Sequence, residues 1–593
     1  MRGANLTTTS AHRVFDGICV SPGIGIGRAF AYDKQAPVIT RQRVAQYLVE
    51  EEVERFRNIL HQAGDEIRRI RRWVASEQGE ELAQIFDAQL AMLEDASILA
   101  RTEALIRRKY YSAERAYAEE LEKVKEAFGN IENEYLRTRI SDIADIENQV
   151  LMRLAGGEVK ALDSLRANTI VLAHDLLPSE MVRLERRRIK GVVLDAGGAA
   201  SHAAIIARSL QLPTVVGTGD CSQQVADGDL VVVDGNEGQV HLRPDVHDER
   251  RYRARRQRQL RRERDLERRR NLPAVTRDGR EIALMANVDV QTEVQAALDH
   301  GARGVGMYRT EFLYLNYRLP SEEEQFKVYS ALVESLAPYP VVIRTMDLGG
   351  DKLSHVLEVP PEANPFLGWR GIRICLDTPD LFKTQLRALL RAGAHGEAQL
   401  LLPMISSLNE LRRARALVEE AKDELRAAGQ TFAEHCKLGI MVEVPSVALL
   451  ADHFAGEADF FSLGTNDLTQ YALAVDRGMS KVAWLYDPFH PAVLRLIKMV
   501  ADSGQRTNTP VSICGEMAGD PLATTLLLGL GLDCLSLSPG LIPEVKEVIR
   551  AIHAEKAREI ADECLSLDTG TEVREYLGDV VGEYVPFWRQ RYH

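Results

Sequence analysis

The segment KLGIMVEVPSVALLADHFAGEADFFSLGTNDL, residues 437–468, indicates the fold of the C-terminal half of this 593-residue chain. It contains two short apolar runs, LGIMV and FFSL, and the residues between them carry apolar side chains at helical spacing. Polar residues follow each run, with Glu443 after the first and Asn466 and Asp467 after the second. A strand, a helix and a second strand in this order predict a βα repeat with parallel strands.

The same repeat fills the region from residue 282 to residue 540. It contains eight apolar segments, from IALMANVDV to CLSLSPG, and helical stretches separate them. Eight βα units in about 250 residues are typical of a (β/α)8 barrel, in which functional residues follow the C-terminal ends of the strands. The sequence therefore predicts a C-terminal TIM barrel.

Polar residues follow most of the predicted barrel strands. They are Arg309, Glu311, Arg344, Asp347, Glu443, Asn466, Asp467, Cys514 and Glu516, with Arg477 shortly after the sixth strand. Any one of them could form a salt bridge at the rim, but the whole set predicts a binding site. Guanidinium groups match phosphate and carboxylate oxygens, so we expect a small anion that carries one or both groups.

Three of these residues suggest more specific chemistry. Glu443 and Asp467 have no His or Cys beside them and suit a hard, oxygen-ligated ion such as Mg²⁺. Cys514 is either a small packing residue or a group that transfers a proton, and the local sequence leaves both interpretations open.

Short β-branched segments between residues 168 and 243 predict a smaller α/β domain, which the N-terminal strands complete. Within it, DAGGAASHAAIIARSL places Ser201 as a helix N-cap and His202 in the first turn. A helix N-terminus favours phosphate, and a neutral imidazole can hold a phosphoryl group covalently. On spacing alone, His202 is either a phosphoryl carrier or a structural residue at a cap. Arg208 either adds positive charge or lies on the surface.

The first 154 residues predict two strands followed by helices. A strand over residues 15–20 leads into SPGIGIGRAF, in which Gly23, Gly25 and Gly27 predict a tight β-turn. They lack the Lys-Ser/Thr of a phosphate-binding loop. From about residue 41 to residue 154, apolar residues recur at helical spacing and proline is absent. This pattern predicts an inserted helical bundle, with breaks at Gly64, Gly79 and Gly129.

Residues 249–270, ERRYRARRQRQLRRERDLERRR, are densely basic. Such a run can bind nucleic acid, but the interspersed acidic residues and the single aromatic residue, Tyr252, favour a solvated linker helix.

Composition narrows the class of protein. The net charge of -13 argues against a general nucleic-acid binder. The seven Cys include no CxxC pair, so neither a disulfide framework nor a zinc site is expected. No apolar run reaches the length of a membrane span, and the N-terminus lacks the apolar core of a signal peptide. We expect a reduced, cytoplasmic, multidomain protein without membrane insertion.

Several long motifs resemble the Enzyme I family of phosphoenolpyruvate (PEP)-utilising enzymes, which act in the bacterial phosphotransferase system. They are the segment around His202 and the barrel segments YRTEFL, IRTMDLGGDK, NPFLGWRGIRI, GIMVEVPS, FFSLGTNDLTQYALAVDRG and ICGEMAGD. The resemblance runs from about residue 17 to residue 560 and includes EEVERF, IFDAQLAMLED and EYLRTRISDIADI in the helical insertion.

The resemblance implies a fold, a reaction and partners. The fold is a swivelling phosphohistidine α/β domain with an inserted helical bundle, followed by the TIM barrel. His202 would be phosphorylated and Cys514 would protonate the enolate to give pyruvate. Arg309, Arg344, Asn466, Asp467 and Arg477 would bind PEP, and Glu443 and Asp467 would hold Mg²⁺. The helical insertion would dock the phosphocarrier protein HPr, and the barrel would form a homodimer.

The expected domain boundaries follow from the patterns and the resemblance together. They are N-terminal strands (1–35), the helical HPr-docking insertion (36–155), the phosphohistidine domain (156–246), the charged linker (247–273), the PEP-binding barrel (274–565) and a C-terminal tail (566–593). The tail carries no motif that we can interpret.

One departure and three alternatives accompany the resemblance. The family's Arg-Thr before Ser-His is Ala199-Ala200 here, which removes a guanidinium and a hydroxyl beside His202. A PEP synthase or dikinase would need a nucleotide-binding domain, and nothing before residue 168 resembles one. A nitrogen-type regulatory phosphotransferase would need to lack its usual sensor domain. A scaffold or RNA-binding protein would leave the polar residues of the barrel unexplained.

Overall fold

The computed structural model describes two compact units, residues 1–263 and 264–593. Within them the described residues are 12–32, 43–78, 80–129, 143, 146–155, 165–176, 180–181, 184, 188–198, 204, 206–207, 210, 212–291, 293–314, 319–349, 362, 364–479 and 481–585. The multidomain α/β class that the sequence predicts is confirmed.

The first unit contains one mixed β-sheet. Its strands are β1 (Arg13–Asp16), β2 (Ile18–Ser21), β3 (Ile24–Tyr32), β4 (Thr169–Ala173), β5 (Ile189–Leu194), β6 (Thr214–Val216), β7 (Leu230–Asp234) and β8 (Gln239–Leu242). Their order in the sheet is β1-β8-β7-β3-β4-β5-β6-β2. Strand β3 pairs in parallel with β4 and antiparallel with β7. The prediction that N-terminal strands complete this domain is therefore confirmed.

Two details of the N-terminus differ from the prediction. The single strand expected over residues 15–20 is two strands, β1 and β2, because the chain turns at Gly17 toward opposite edges of the sheet. Gly25 and Gly27 lie inside β3 and not in a turn. A Cβ at Gly25 would lie 2.2 Å from the Lys190 carbonyl oxygen, so this strand needs glycine for close packing of the backbone.

The predicted helical segment contains the helices Val49–Gln78, Glu80–Leu93, Ala96–Lys109 and Ala113–Gly129, and residues 146–154 are also helical. Their apolar faces bury Phe56, Phe86 and Tyr117 in a core of their own. Gly79 and the residues that directly follow Gly129 lie outside the described residues, so the breaks at these two glycines stay predictions. The break predicted at Gly64 is wrong, because the first helix continues through that residue. A glycine inside a helix costs only about 1 kcal/mol, which packing of a 30-residue helix overcomes.

The basic run forms the expected linker helix, Val246–Arg269. Its side chain Tyr252 is buried and packs with Ile24, Ile26 and Val232 of the sheet. The Tyr252 hydroxyl also lies 2.8 Å from Nε2 of His241. The aromatic residue of the run therefore serves packing within the first unit.

The second unit contains the predicted barrel. Strands β9 (Ala283–Val288), β10 (Val305–Tyr308), β11 (Val341–Arg344), β12 (Ala398–Leu402), β13 (Lys437–Val442), β14 (Phe461–Leu463), β15 (Val511–Ile513) and β16 (Cys534–Leu537) close into a barrel with parallel pairing throughout. The helices are Glu293–Asp299, Glu322–Leu336, Ile372–Asp377, Pro379–Ala392, Leu408–Ala427, Pro445–Leu449, Ala451–Ala455, Thr465–Leu473, Pro491–Thr507, Pro521–Gly529, Ile542–Ala551, Ala554–Ser566 and Gly570–Tyr584.

The last of these helices, Gly570–Tyr584, belongs to the segment for which the sequence alone suggests no role. Thr569 caps it, with the Glu572 side chain completing the capping box. Val573 and Leu577 are fully buried in the same core as the barrel strands. Most of this segment therefore packs as part of the barrel unit. Among the described residues, no helix is long and apolar enough to cross a membrane.

Candidate active site at the barrel mouth

Polar side chains converge at one end of the barrel. Parallel strands in a closed barrel end at the same rim, so residues that directly follow β9, β10, β11, β13, β14 and β15 become neighbours despite their distance in sequence. The ion pairs and hydrogen bonds below join residues from all six of these strand ends. The convergence that the sequence predicts is therefore present in the structure.

Arg309 follows β10, and its Nη1 lies 2.9 Å from Oδ1 and 3.0 Å from Oδ2 of Asp289. Asp289 follows β9 on the neighbouring strand. The side chains of Arg309 and Asp289 are 35% and 33% exposed, so the guanidinium is oriented but still open to solvent. It is available to an anion at the mouth.

Arg344 ends β11 and is almost completely enclosed. Its Nη2 donates to Oε1 of Glu311 at 2.9 Å, and its Nη1 lies 3.0 Å from Oδ2 of Asp347. Burial disfavours the charged guanidinium, but the two carboxylates outweigh this effect and raise the pKa of Arg344. Its Nε is buried and has no hydrogen-bond partner among the described residues. An unpaired buried donor fits a site that receives an acceptor from a ligand.

A second buried guanidinium, Arg370, was missed by the sequence interpretation. Its Nη2 lies 3.1 Å from both carboxylate oxygens of Asp347 and 3.8 Å from Oδ2 of Asp467. Its Nη1 donates to the Tyr471 hydroxyl at 3.4 Å. Arg370 lies within NPFLGWRGIRI, a motif that pointed to the family but does not follow a barrel strand directly.

Glu443 and Asp467 supply carboxylates at the base of the mouth. Glu443 is 1% exposed, and its Oε1 accepts a hydrogen bond of 2.6 Å from the Met404 backbone. Burial, with the negative charges of Asp467 and Asp347, raises the pKa of Glu443 well above its ordinary value. Oδ1 of Asp467 is buried and accepts no hydrogen bond from the described residues.

These two carboxylates fit a hard divalent cation. A cation offsets the repulsion that raises the pKa of Glu443 and gives the unpaired Asp467 oxygen a partner. Carboxylate oxygens without imidazole or thiolate are the donors that Mg²⁺ prefers. The donor set is therefore consistent with the predicted metal.

Asn466 and Arg477 lie on the same side of the mouth. Oδ1 of Asn466 accepts from the Glu516 backbone at 2.9 Å, which fixes the amide between β14 and β15. The Arg477 guanidinium lies 3.7 Å from Oδ1 of Asp467, and its side chain is 36% exposed. Arg477 is thus about as open to solvent as Arg309.

Cys514 follows β15 and is 2% exposed. Its backbone N–H donates to the Leu463 carbonyl at 3.0 Å, and Sγ lies 3.6 Å from the same oxygen. Burial raises the pKa of the Cys514 thiol, so the protonated form dominates at neutral pH. The Asn287 amide donates to the Cys514 carbonyl at 2.9 Å, and Ser536 donates to Asn287 at 2.7 Å. The thiol is therefore held in one place at the rim.

The remaining predicted residue, His202, lies outside the described residues, as do Ala199, Ala200, Ser201 and Arg208. Asp195 directly follows β5 in the same domain. Asp195 accepts hydrogen bonds of 3.0 Å from Thr218 and from the Ser222 backbone, which ties the end of β5 to the segment after β6.

Family models match three parts of the chain. The PEP-binding domain of PEP-utilising enzymes matches residues 263–554, their N-terminal domain matches residues 16–139, and their mobile domain matches residues 165–238. A phosphoenolpyruvate-protein phosphotransferase of Bacillus sp. (strain S) is 40% identical over 566 residues, which cover 95% of this chain and 98% of that protein.

The chain belongs to the phosphoenolpyruvate-protein phosphotransferase family. A member from Haemophilus influenzae is 39% identical and covers 96% of this chain and 99% of its own. A solution structure of an Enzyme I (nEIt) protein is 35% identical, with a TM-score of 0.37, and covers 41% of this chain and 98% of that one. The resemblance that the motifs suggested is therefore confirmed over nearly the whole chain. The chain is an enzyme of this phosphotransferase family, and not a scaffold.

Proposed function

We propose that this protein transfers the phosphoryl group of PEP first to His202 and then to a histidine of an HPr-like phosphocarrier protein, with release of pyruvate. The observation that supports this most strongly is the convergence of Arg309, Arg344 and Arg477 with Glu443 and Asp467 at the barrel mouth. Phosphoryl transfer requires neutralisation of charge and in-line positioning more than covalent help.

PEP binds at the mouth in this proposal. Arg344 offers its unpaired Nε to a ligand oxygen, and Arg309 offers a guanidinium that Asp289 already orients. Asn466 and Asp467 also contact PEP, and Arg477 adds a third positive charge. Arg370, which is buried against Asp347 and Asp467, adds a further positive charge.

Glu443 and Asp467 would hold Mg²⁺ together with the phosphate of PEP. When bound, the ion supplies positive charge to the oxygens of the transferred group. The protein's own part is to keep two carboxylates together in a buried place despite their repulsion, which it does by pairing the surrounding charges with Arg344 and Arg370.

Cys514 donates the proton that converts the enolate to pyruvate. Loss of the phosphoryl group leaves an enolate of pyruvate, and the thiol proton moves to its methylene carbon while the sulfur becomes a thiolate. A buried thiol with a raised pKa is protonated before the reaction, as an acid must be. The thiolate regains its proton from solvent before the next turnover.

The remaining assignments rest on the resemblance to Enzyme I. The helical insertion (36–155) docks the phosphocarrier, the linker (247–273) permits the His202 domain (156–246, with strands from 1–35) to swivel, and the barrel (274–565) forms a homodimer in the cytoplasm. The helical segment has a hydrophobic core of its own, which suits a docking surface that must keep its shape. The described part of the C-terminal segment, residues 566–585, packs with the barrel through Val573 and Leu577.

The direct test is labelling with PEP whose phosphoryl group carries ³²P, with Mg²⁺ and without nucleotide. We expect acid-labile, base-stable label on the full-length chain and transfer of that label to an added HPr-like protein. His202→Ala should remove the label. Cys514→Ser should retain labelling but slow the formation of pyruvate, which separates the two roles.

Absence of label on the unaltered chain would contradict the proposal and would indicate that Ala199-Ala200 marks a degenerate site. Label that persists in His202→Ala would place the phosphoryl group on another residue.

A further inference from the structure

A cavity of about 250 Å³ lies at the opposite end of the barrel from the mouth. Its walls come from the segments that precede the strands, including Ile282 before β9, Arg303 before β10 and Tyr339 before β11. It is therefore separated from the proposed PEP site by the length of the barrel. None of the residues assigned to the PEP site lines it.

Lys546 forms the most deeply buried charged part of this cavity. It lies on the helix Ile542–Ala551 and is 4% exposed. An ammonium has three N–H donors, and the structure gives Lys546 one partner among the described residues, the Arg270 carbonyl. Gly301 leaves room for the ammonium, because a Cβ at that position would lie 2.7 Å from Nζ.

The absence of a carboxylate partner among the described residues distinguishes Lys546 from a second buried lysine. The other buried lysine of the barrel unit, Lys422, is 8% exposed and lies 2.8 Å from Oε1 of Glu419. In the described part of the chain, no carboxylate lies within ion-pair distance of Lys546. The protein as a whole has a net charge of -13, so carboxylates are abundant in it. The cavity around Lys546 is nevertheless positively charged. A buried charge without a counter-ion is unfavourable.

The surroundings add positive charge. Arg303 lines the cavity, and Arg550 lies one turn after Lys546, where it donates to the Pro273 carbonyl at 2.7 Å. The nearby carboxylate of Glu281 is already bound to Arg303. Burial and the charges of Arg303 and Arg550 lower the pKa of Lys546, the result expected when an ammonium lacks a negative partner. Lys546 also faces the end of the linker helix, but that contact occupies only one of its donors.

We propose that this cavity binds a small oxyanion, with a phosphate or carboxylate group on the Lys546 ammonium and with Arg303 and Tyr339 at the rim. Phosphate and carboxylate oxygens accept from ammonium and guanidinium donors alike, and a cavity of about 250 Å³ admits a free ion or a short organic acid. The anion neutralises the buried charge and does not require the PEP site.

The test measures the NMR signal of the Lys546 side chain, so anions that bind at the barrel mouth do not contribute to it. The full chain carries ¹³C at the lysine ε-carbons, and Lys546→Arg and Lys422→Arg assign the two buried signals. Sodium phosphate and sodium acetate are titrated separately, each against sodium chloride at equal ionic strength. We expect a saturable shift of the Lys546 signal and a rise of its pKa by about one unit, since an adjacent anion favours the charged form.

Lys422 serves as the matched control, and its signal should not change because Glu419 already neutralises it. Arg303→Gln should raise the anion concentration needed for half-saturation by several-fold. A response to phosphate alone identifies a phosphate site, a response to acetate alone a carboxylate site, and a response to both a general oxyanion site. A Lys546 signal that responds to neither anion beyond the effect of chloride overturns the proposal.

Discussion

Arginine–carboxylate pairs occur both in the helical segment and at the barrel mouth, but their surroundings differ. In the helical segment, Arg57 binds Glu103 with its own side chain 61% exposed. At the mouth, Arg344 binds Asp347 with side chains that are 11% and 3% exposed. Among the described residues, two buried atoms at the mouth, Arg344 Nε and Asp467 Oδ1, also have no hydrogen-bond partner. The presence of an ion pair therefore does not distinguish the two regions, whereas the burial of both partners distinguishes these two pairs.

The largest effect should come from removing the central buried guanidinium. Arg344→Ala should reduce PEP-dependent labelling by about 10³-fold, because a positioned charge at the transferring group is lost. It should also lower the free energy of unfolding by about 3–5 kcal/mol, since the buried Glu311 would lose its guanidinium partner and Asp347 would keep only Arg370. Rates of ³²P labelling and urea unfolding measure the two effects.

Arg344→Lys is the matched control for this change. It keeps one positive charge but cannot contact Glu311 and Asp347 through two separate nitrogens, so it should recover part of the stability and little of the activity. Full activity in the lysine variant would show that geometry at the mouth does not matter.

Removal of a buried carboxylate should separate activity from stability. Glu443→Gln should reduce labelling by about 10²-fold or more, because positive charge at the phosphoryl group is lost with the metal. The metal-free variant should nevertheless be at least as stable as the parent at pH 8, because ionised Glu443 is buried and repelled by Asp467. Thermal unfolding with and without Mg²⁺ tests this, and Mg²⁺ should stabilise only the parent.

The difference in stability between the parent and Glu443→Gln should change with pH in a definite direction. Because the folded-state pKa of Glu443 is raised, its contribution to the stability of the metal-free parent is fully present below the unfolded pKa near 4.3 and is lost as pH rises through the folded value. Glu443→Gln removes this loss. A constant stability difference between parent and variant from pH 4 to pH 8 would show that Glu443 ionises freely.

A partly buried pair in the helical segment should give an intermediate effect on stability alone. Arg55 donates to Glu52 and to Glu114 at 2.7 Å, and Glu114 is 8% exposed. The Arg55 side chain is 39% exposed, so solvent screens the pair and Arg55→Ala should cost only about 1–2 kcal/mol. Labelling by PEP should be unchanged, because no part of the mouth is altered. A slower labelling rate would contradict the separation of the two regions.

The smallest effect should come from an exposed pair. Arg57→Ala should leave both the urea midpoint and the labelling rate unchanged within error, because surface pairs contribute little. Transfer of label to the phosphocarrier should be measured separately, since the same surface is proposed for docking. A clear loss of stability would mean that exposure does not separate the two classes of ion pair.

The sequence predicts the parts of the site that follow regular strands. Glu443 directly follows β13, and Asp467 lies in the first helical turn after β14, so the parallel pairing of these two strands brings both residues to the same rim. The same rule places Arg309, Arg344 and Cys514 at the rim. In each case the strand pattern is local and the convergence follows from closure of the barrel.

The residues of the site that the sequence does not predict lie in irregular segments, whose position depends on long-range contacts. Arg370 reaches the mouth through an isolated bridge between Gly349 and Arg370, and through Gly371, whose φ of 55° lies in the left-handed region. A Cβ at Gly371 would lie 3.0 Å from Oδ1 of Asp347, so the turn needs glycine there. Periodicity cannot show either contact. The burial of Val573 and Leu577 was not predicted for the same reason, because the apolar pattern of a helix does not show which surface the helix packs against.

Equilibrium binding of PEP to His202→Ala tests the central claim most directly, because that variant cannot accept the phosphoryl group and only binding is measured. We predict one PEP bound per chain in the presence of Mg²⁺, weaker binding after chelation, no detectable binding once Arg344→Ala is added, and unchanged binding once Arg57→Ala is added. Equal affinity with and without Arg344→Ala would show that PEP does not bind at the barrel mouth and would contradict the account.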